Sequence, residues 1–242
     1  MNLTDMWKIV LTVAITLAFA LICLVIAVRV VLNRTLKRKM NEMRELNKYA
    51  PKDSIVFLGD SLTDFYPVNE FFHFPKIVNR GIANDRTKDV KKRIDEVTDV
   101  KPKYVYLQIG INDFIRSFKR MDPIVVAKRI VSVLEMLTDN TDVRLISLYP
   151  VNSKKNFLSR FCVFGVNNQK IIRANEYLEN YTRIKGITYI DAFPALVDAD
   201  GRLNKEFTIE GLHLTVKGYE ALTSVLMPYV RKDSGYDKNR NL

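Results

Sequence analysis

Cysteine, glycine, proline and histidine are all scarce in this chain of 242 residues, and each scarcity closes off a class of protein. Two cysteines, Cys23 in an apolar run and Cys162 far from it, make neither a disulfide framework nor a Cys-rich zinc module. Nine glycines and eight prolines are too few for a collagen-like or loop-dominated protein. No two glycines lie closer than Gly211 and Gly218, which excludes the G-x-G-x-x-G dinucleotide loop and the G-x-x-x-x-G-K-[ST] phosphate loop. Only His73 and His213 could supply an imidazole, and no H-E-x-x-H zinc motif exists. Asp198-Ala199-Asp200-Gly201 begins like a calcium loop but lacks the remaining ligand spacing, so it reads as a polar turn.

Acidic residues are also outnumbered, 27 against 38 Lys and Arg, for a formal charge of +11. The excess sits at the ends. Residues 1–52 carry +6 and residues 231–242 carry +2, which leaves +3 for everything between. A nucleic-acid-binding domain would concentrate its basic residues on the folded body, so no nucleic-acid partner is expected.

Ile9 to Val28 is an uncharged run long enough, as a helix of about 1.5 Å per residue, to cross the hydrocarbon core of a bilayer. Trp7 and Lys8 precede it and Arg29 and Arg34 follow, residue types suited to the two interfaces. Ala18-Phe19-Ala20 resembles a signal-peptidase site, but the apolar run continues well past it, which favours an uncleaved anchor. Residues 1–32 are therefore read as a membrane anchor inserted through residues 9–28. Residues 33–52 are read as a basic helical stalk, with Leu36, Met40, Met43 and Leu46 at helical spacing and Pro51 ending it. The basic residues following the span favour the cytoplasmic side for the main domain by the positive-inside rule, which a long domain can override, so the side stays open.

From residue 53 to residue 230, short apolar β-type runs alternate with amphipathic helical patterns; residues 231–242 form a polar tail. The pattern predicts strands over 54–58, 76–79, 104–109, 143–147 and 188–190. It predicts helices over 85–97, 122–138, 166–183 and 215–230. Strands apolar on both faces belong in a parallel sheet covered by helices, which predicts a three-layer α/β/α sandwich. Sites in such folds form beyond the C-terminal ends of the strands.

Four short segments fall there or just before the last helix. Gly59-Asp60-Ser61-Leu62-Thr63 follows the first strand and presents a hydroxyl beside unpaired backbone N–H groups. Asn79-Arg80-Gly81-Ile82 follows the second, where a glycine lets a ligand approach the backbone. Gly110-Ile111-Asn112-Asp113 follows the third, with an amide able to donate to an oxyanion. Glu210-Gly211-Leu212-His213 places a carboxylate three residues before the histidine that remains as candidate base once His73, set among Phe71, Phe72 and Phe74, is assigned to packing or a pocket wall. Each segment alone is also ordinary turn or cap chemistry.

Together, in this order, they resemble the SGNH/GDSL hydrolase family, in its lysophospholipase-like and platelet-activating-factor acetylhydrolase-like branch. The matching residues are Ser61, Gly81, Asn112 and His213, and the likeness covers about residues 53–230. It implies a flavodoxin-like fold and an acyl hydrolase acting on a lipid or acetyl ester without metal or organic cofactor. It implies a catalytic set of Ser61, Glu210 and His213 and an oxyanion hole from the Ser61 and Gly81 N–H groups and the Asn112 side chain. Glu210 departs from the aspartate usual in the family by one methylene. Asn84-Asp85-Arg86-Thr87 departs from the small residues usual after Gly81. The same residues would serve an acyltransferase to a cell-envelope glycan or lipid, and a retired fold would leave a tethered binding module. Phe65, Phe71, Phe72 and Phe74, with Phe157, Phe161 and Phe164, could line an acyl pocket or cap one near a bilayer.

Overall fold

The computed structural model describes residues 2–115, 121–139 and 141–235. The chain falls into two compact units, residues 1–43 and 44–242. Helix α1, Leu3–Asn47, supplies the first and ends in the second. It is long and apolar enough to cross a membrane, and no residue of it is buried. The expected anchor and stalk are thus one uninterrupted helix, which stops ahead of Pro51.

The second unit is built on five parallel strands: β1 (Ile55–Gly59), β2 (Ile77–Gly81), β3 (Tyr104–Gln108), β4 (Asp142–Ile146) and β5 (Thr188–Ile190). Their order across the sheet is β2-β1-β3-β4-β5. Each begins and ends within two residues of the span read from the sequence. All five residues of β1 are buried, because helices cover both faces of the sheet. Short helices α2 (Ser61–Asp64) and α3 (Val68–Phe72) follow β1, and α4 (Thr87–Lys91) and α5 (Ile94–Thr98) follow β2. Next come α6 (Ile111–Ile115) and α7 (Pro123–Thr138) after β3, and α8 (Ser159–Cys162) and α9 (Asn168–Lys185) after β4. Helices α10 (Phe193–Leu196) and α11 (Val216–Ser234) follow β5. One layer has α7 against α4, α5 and α9; the other has α11 against α3, α10 and β1. The expected α/β/α sandwich is therefore present.

Local chemistry sets the helix ends. The Asp122 carboxylate accepts from the Ile124 N–H at 2.7 Å and Pro123 opens α7, while Gly186, at φ +67°, closes α9. Helix α11 runs to Ser234, so the expected polar tail starts inside it; residues 236–242 lie outside the described residues.

One expected helix is broken. The segment 85–97 forms α4 and α5, separated at Lys92-Arg93, because Arg93 turns into the protein, where it is only 2% exposed. Its Nε donates to Asp85 Oδ2 at 2.7 Å, and its two terminal nitrogens donate to Arg80 O at 3.0 Å and Gly59 O at 3.1 Å. Those carbonyls lie at the C-terminal ends of β2 and β1. One guanidinium therefore gives both strand ends a charge-assisted donor, at Gly59 O beside the Ile82 N–H that this carbonyl also accepts.

The chain passes from β1 to β2 on one side and returns to β3 on the other, so the strand order reverses between β1 and β3. The segments after these two strands carry Ser61 and Asn112. Arg93→Met should lower unfolding free energy by about 3–5 kcal/mol, the usual consequence of leaving a buried charge without its partner. Urea unfolding of the variant checks this, and a loss below about 1 kcal/mol would contradict the role given to Arg93.

Candidate active site

Strand β1 ends on Gly59, where a side chain has no room: a Cβ would lie 2.2 Å from Gln108 O and from Thr63 Oγ1. Asp60 then caps α2, its carboxylate accepting from the Leu62 N–H at 3.0 Å. Ser61 is thereby fixed as the first residue of a helical turn at the sheet edge, buried except for a small exposed fraction.

The histidine arrives from the other end of the domain. Residues 208–214 form a tight loop closed by the Thr208–Leu214 bridge. Thr208 Oγ1 donates to His213 O at 2.9 Å and accepts from the Gly211 N–H at 2.9 Å. Gly211, at φ +89°, lies so close to the segment after β4 that a Cβ would meet Asn152 O at 2.2 Å. The Asn152 N–H donates to Gly211 O at 2.8 Å, clamping the loop.

This loop sets His213 Nε2 2.9 Å from Ser61 Oγ. Glu210 Oε1 meets His213 Nδ1 in a short hydrogen bond and accepts from the His213 N–H at 3.2 Å. The extra methylene of glutamate is taken up by this three-residue loop, so one oxygen reaches both nitrogens. Burial alone would raise the Glu210 carboxyl, but hydrogen bonds and charge from His213 outweigh it and hold the group below its ordinary value. A carboxylate only accepts, so Nδ1 donates to Glu210, and in the unprotonated state of Nε2 its lone pair faces the Ser61 hydroxyl. The phenyl ring of Phe65 lies against the imidazole, with centroids 5.3 Å apart.

Asn112 is the second residue of α6 and is buried. Its Nδ2 donates to Asp85 O at 3.0 Å, which uses one of the two amide hydrogens. The next residue, Asp113, accepts from the Thr87 N–H at 3.0 Å and the Thr87 hydroxyl at 2.8 Å, joining α6 to the start of α4. Gly110, at φ +126°, gives the entry to α6 a backbone conformation that other residues rarely adopt.

Gly81 differs from its expected role as a donor to the site. Its N–H donates to Asn79 Oδ1 at 2.8 Å, and the Asn79 amide in turn donates to Thr63 O at 2.7 Å and Tyr66 O at 3.0 Å. Glycine is needed there for space, since a Cβ would lie 2.2 Å from Asp64 N. His73 also departs from the expected packing: it is an exposed C-cap of α3 at φ +51°. Of the first aromatic group, Phe72 is buried in the core against Phe57, and Phe65 is the one beside His213.

Two contributors were not picked out from the sequence. Asp85, through its backbone carbonyl, holds Asn112, and Arg93 holds Asp85. Arg93 had a legible signal, because it falls among Val90, Ile94 and Val97 on the apolar face of the expected helix. Among the described residues no group of three or more His, Cys, Asp or Glu side chains could hold a metal ion.

Residues 57–221 match the model of the GDSL-like Lipase/Acylhydrolase family, and the chain belongs to that family. Platelet-activating factor acetylhydrolase IB subunit alpha1 of Rattus norvegicus is 28% identical over 193 residues, covering 75% of this chain and 78% of the relative. N-acylneuraminate cytidylyltransferase of Escherichia coli is 26% identical over 204 residues, but the chain spans only 45% of that protein's length. Among solved structures, a proposed platelet activating factor from Streptococcus pneumonia is 27% identical, with a TM-score of 0.71, covering 85% of this chain and 98% of that one. A GDSL-like lipase from Bacteroides thetaiotaomicron, 22% identical with a TM-score of 0.68, covers 81% and 97% and shares the fold.

Asp60 gives the site a measurable pH signature. Complete burial pushes its carboxyl up to about 7, against the opposing pull of the Leu62 N–H, and among the described residues its Oδ2 has no hydrogen-bond partner. An acid with a raised folded-state pKa binds a proton on folding. The pH-dependent part of its burial cost is absent below the ordinary value of 3.8, and stability falls as pH rises from there to about 7. Asp60→Asn keeps an acceptor for Leu62 and should remove that decline, a difference on the order of a few kcal/mol between about pH 4 and pH 8. Parallel stability profiles of the two proteins in urea would contradict it.

Proposed function

We propose that the chain is a membrane-anchored serine acyl hydrolase that cleaves a carboxylic ester, of a lipid or of an acetyl group, through an acyl-enzyme on Ser61. The observation that carries this reading is the 2.9 Å approach of His213 Nε2 to Ser61 Oγ, with Glu210 on the far side of the ring. Membership of an acylhydrolase family supports the ester as substrate class.

Ser61 Oγ attacks the ester carbonyl carbon while its proton passes to His213 Nε2. Glu210 holds the ring in the productive tautomer and stabilises the imidazolium. The tetrahedral oxyanion is met by the Ser61 N–H, the first unpaired amide of α2, and by the second hydrogen of the Asn112 amide. Collapse breaks the ester C–O bond, and His213 returns the proton to the leaving alcohol. Water then attacks the acyl carbon, His213 takes the water's proton, and release of the acid gives that proton back to Ser61. The Gly81 N–H stays with Asn79 and is left out of this scheme.

Ser61→Ala should abolish both ester turnover and labelling by a fluorophosphonate probe. Asn112→Ala should lower kcat by about 100- to 1,000-fold while the serine still reacts. Equal labelling of the wild type and Ser61→Ala would remove Ser61 from the mechanism.

The apolar run 9–28 is the proposed anchor, and the basic residues after it support a cytoplasmic position for the domain. Full-length protein should stay with the membrane pellet after an alkaline wash. Release of a shortened chain would identify a cleaved signal sequence instead.

A further inference from the structure

The loop between β4 and α9 displays apolar side chains that the fold could have buried. Phe157, Leu158, Phe161 and Phe164, with Ile209 from the histidine loop, are between 62% (Leu158) and 75% (Phe157) exposed. This is an ordered display. Ser159 is fully buried, its N–H and hydroxyl both donating to Asn156 Oδ1 at 2.9 Å, and Val163 is buried beside it. Those two residues pin α8 inward while their neighbours are held out. Phe157 and Phe161 lie edge to face with ring centroids 5.2 Å apart, and the Asn156 amide donates to Ile209 O at 3.4 Å, which joins the two loops. The patch therefore borders the loop that carries His213.

The charge of the loop itself has one sign, and the nearby acid Glu206 is paired with Lys217. Residues 151–166 contain Lys154, Lys155 and Arg160 and no acidic residue. Glu210, the acid in the adjoining loop, faces His213. Exposed aromatic and aliphatic side chains inside a cationic rim suit a surface with an apolar interior and anionic headgroups. A protein partner would need acidic groups around a greasy socket, whereas a bilayer presents this pairing everywhere, and the apolar span 9–28 would keep this chain at one.

We propose that Phe157, Leu158, Phe161, Phe164 and Ile209 form a membrane-docking face that inserts into an anionic lipid surface and sets the Ser61–His213 cleft against it. One consequence rests on the esterase reading: the substrate is an ester carried by a membrane lipid, entering from the bilayer side. Docking itself does not depend on that chemistry.

Trp7 is the single tryptophan, so Trp7→Phe combined with Phe161→Trp places one reporter on the face. The full-length protein is reconstituted into phosphatidylcholine–phosphatidylglycerol vesicles. The F161W emission should be blue-shifted and quenched several-fold by lipids brominated on their acyl chains. Quenching should weaken several-fold when Lys154, Lys155 and Arg160 are changed to Glu or when phosphatidylglycerol is omitted. Adding Ser61→Ala should leave the quenching unchanged, which separates docking from catalysis. Water-like, unquenched emission would overturn the proposal. So would a blue shift without bromine quenching, which would mean that a second copy of the chain covers the face. If F161W does not fold, as judged by circular dichroism, Phe157→Trp carries the same test.

Discussion

Arg93 places a positive charge beneath the C-terminal ends of β1 and β2, and the geometry of the site follows from how that charge is satisfied. Its three nitrogens reach Gly59 O, Arg80 O and the Asp85 carboxylate. The first two contacts fix where the strands stop. The third fixes the loop whose backbone carbonyl holds the Asn112 amide. Burial pushes the Asp85 carboxyl up to about 6 even with the Arg93 charge against it, so the pair is held in a poorly solvated place. Such a pair is poor evidence for high stability.

Ser61 and His213 are brought together from loops on a rigid frame. Ser61 is placed by a turn with no space for a side chain at Gly59 and with Asp60 as its cap. His213 is placed by a loop that Thr208 ties internally and Asn152 ties to the segment after β4. Two segments some 150 residues apart thus meet, each held by its own turn and by a close approach to a neighbouring segment. The Glu210–His213 pair lies within one short loop, and the carboxylate also accepts from the backbone of the residue it orients.

Much of this was legible in the sequence for physical reasons. The strands were, because residues buried on both faces of a parallel sheet must be apolar throughout, as Ile55–Leu58 and Val105–Leu107 are. The meeting of Ser61, Glu210 and His213 was expected from the family resemblance, which the order of the four segments carried, since each segment alone is ordinary turn or cap chemistry. The break at Arg93 was not, since amphipathic periodicity cannot show that a charged residue on the apolar face will turn inward and split its helix. The commitment of the Gly81 N–H to Asn79 was equally hidden, because it depends on a side chain two residues earlier folding back. Helices of four or five residues, such as α2 and α8, carry too few turns for a period to register.

The most direct test is a crystal structure of the protein after reaction with an alkyl fluorophosphonate. Phosphorus should be bonded to Ser61 Oγ, with the phosphonyl oxygen within hydrogen-bond distance of the Ser61 N–H and Asn112 Nδ2, and His213 still paired with Glu210. An adduct on another residue, or a phosphonyl oxygen turned away from Asn112, would contradict the account of this site.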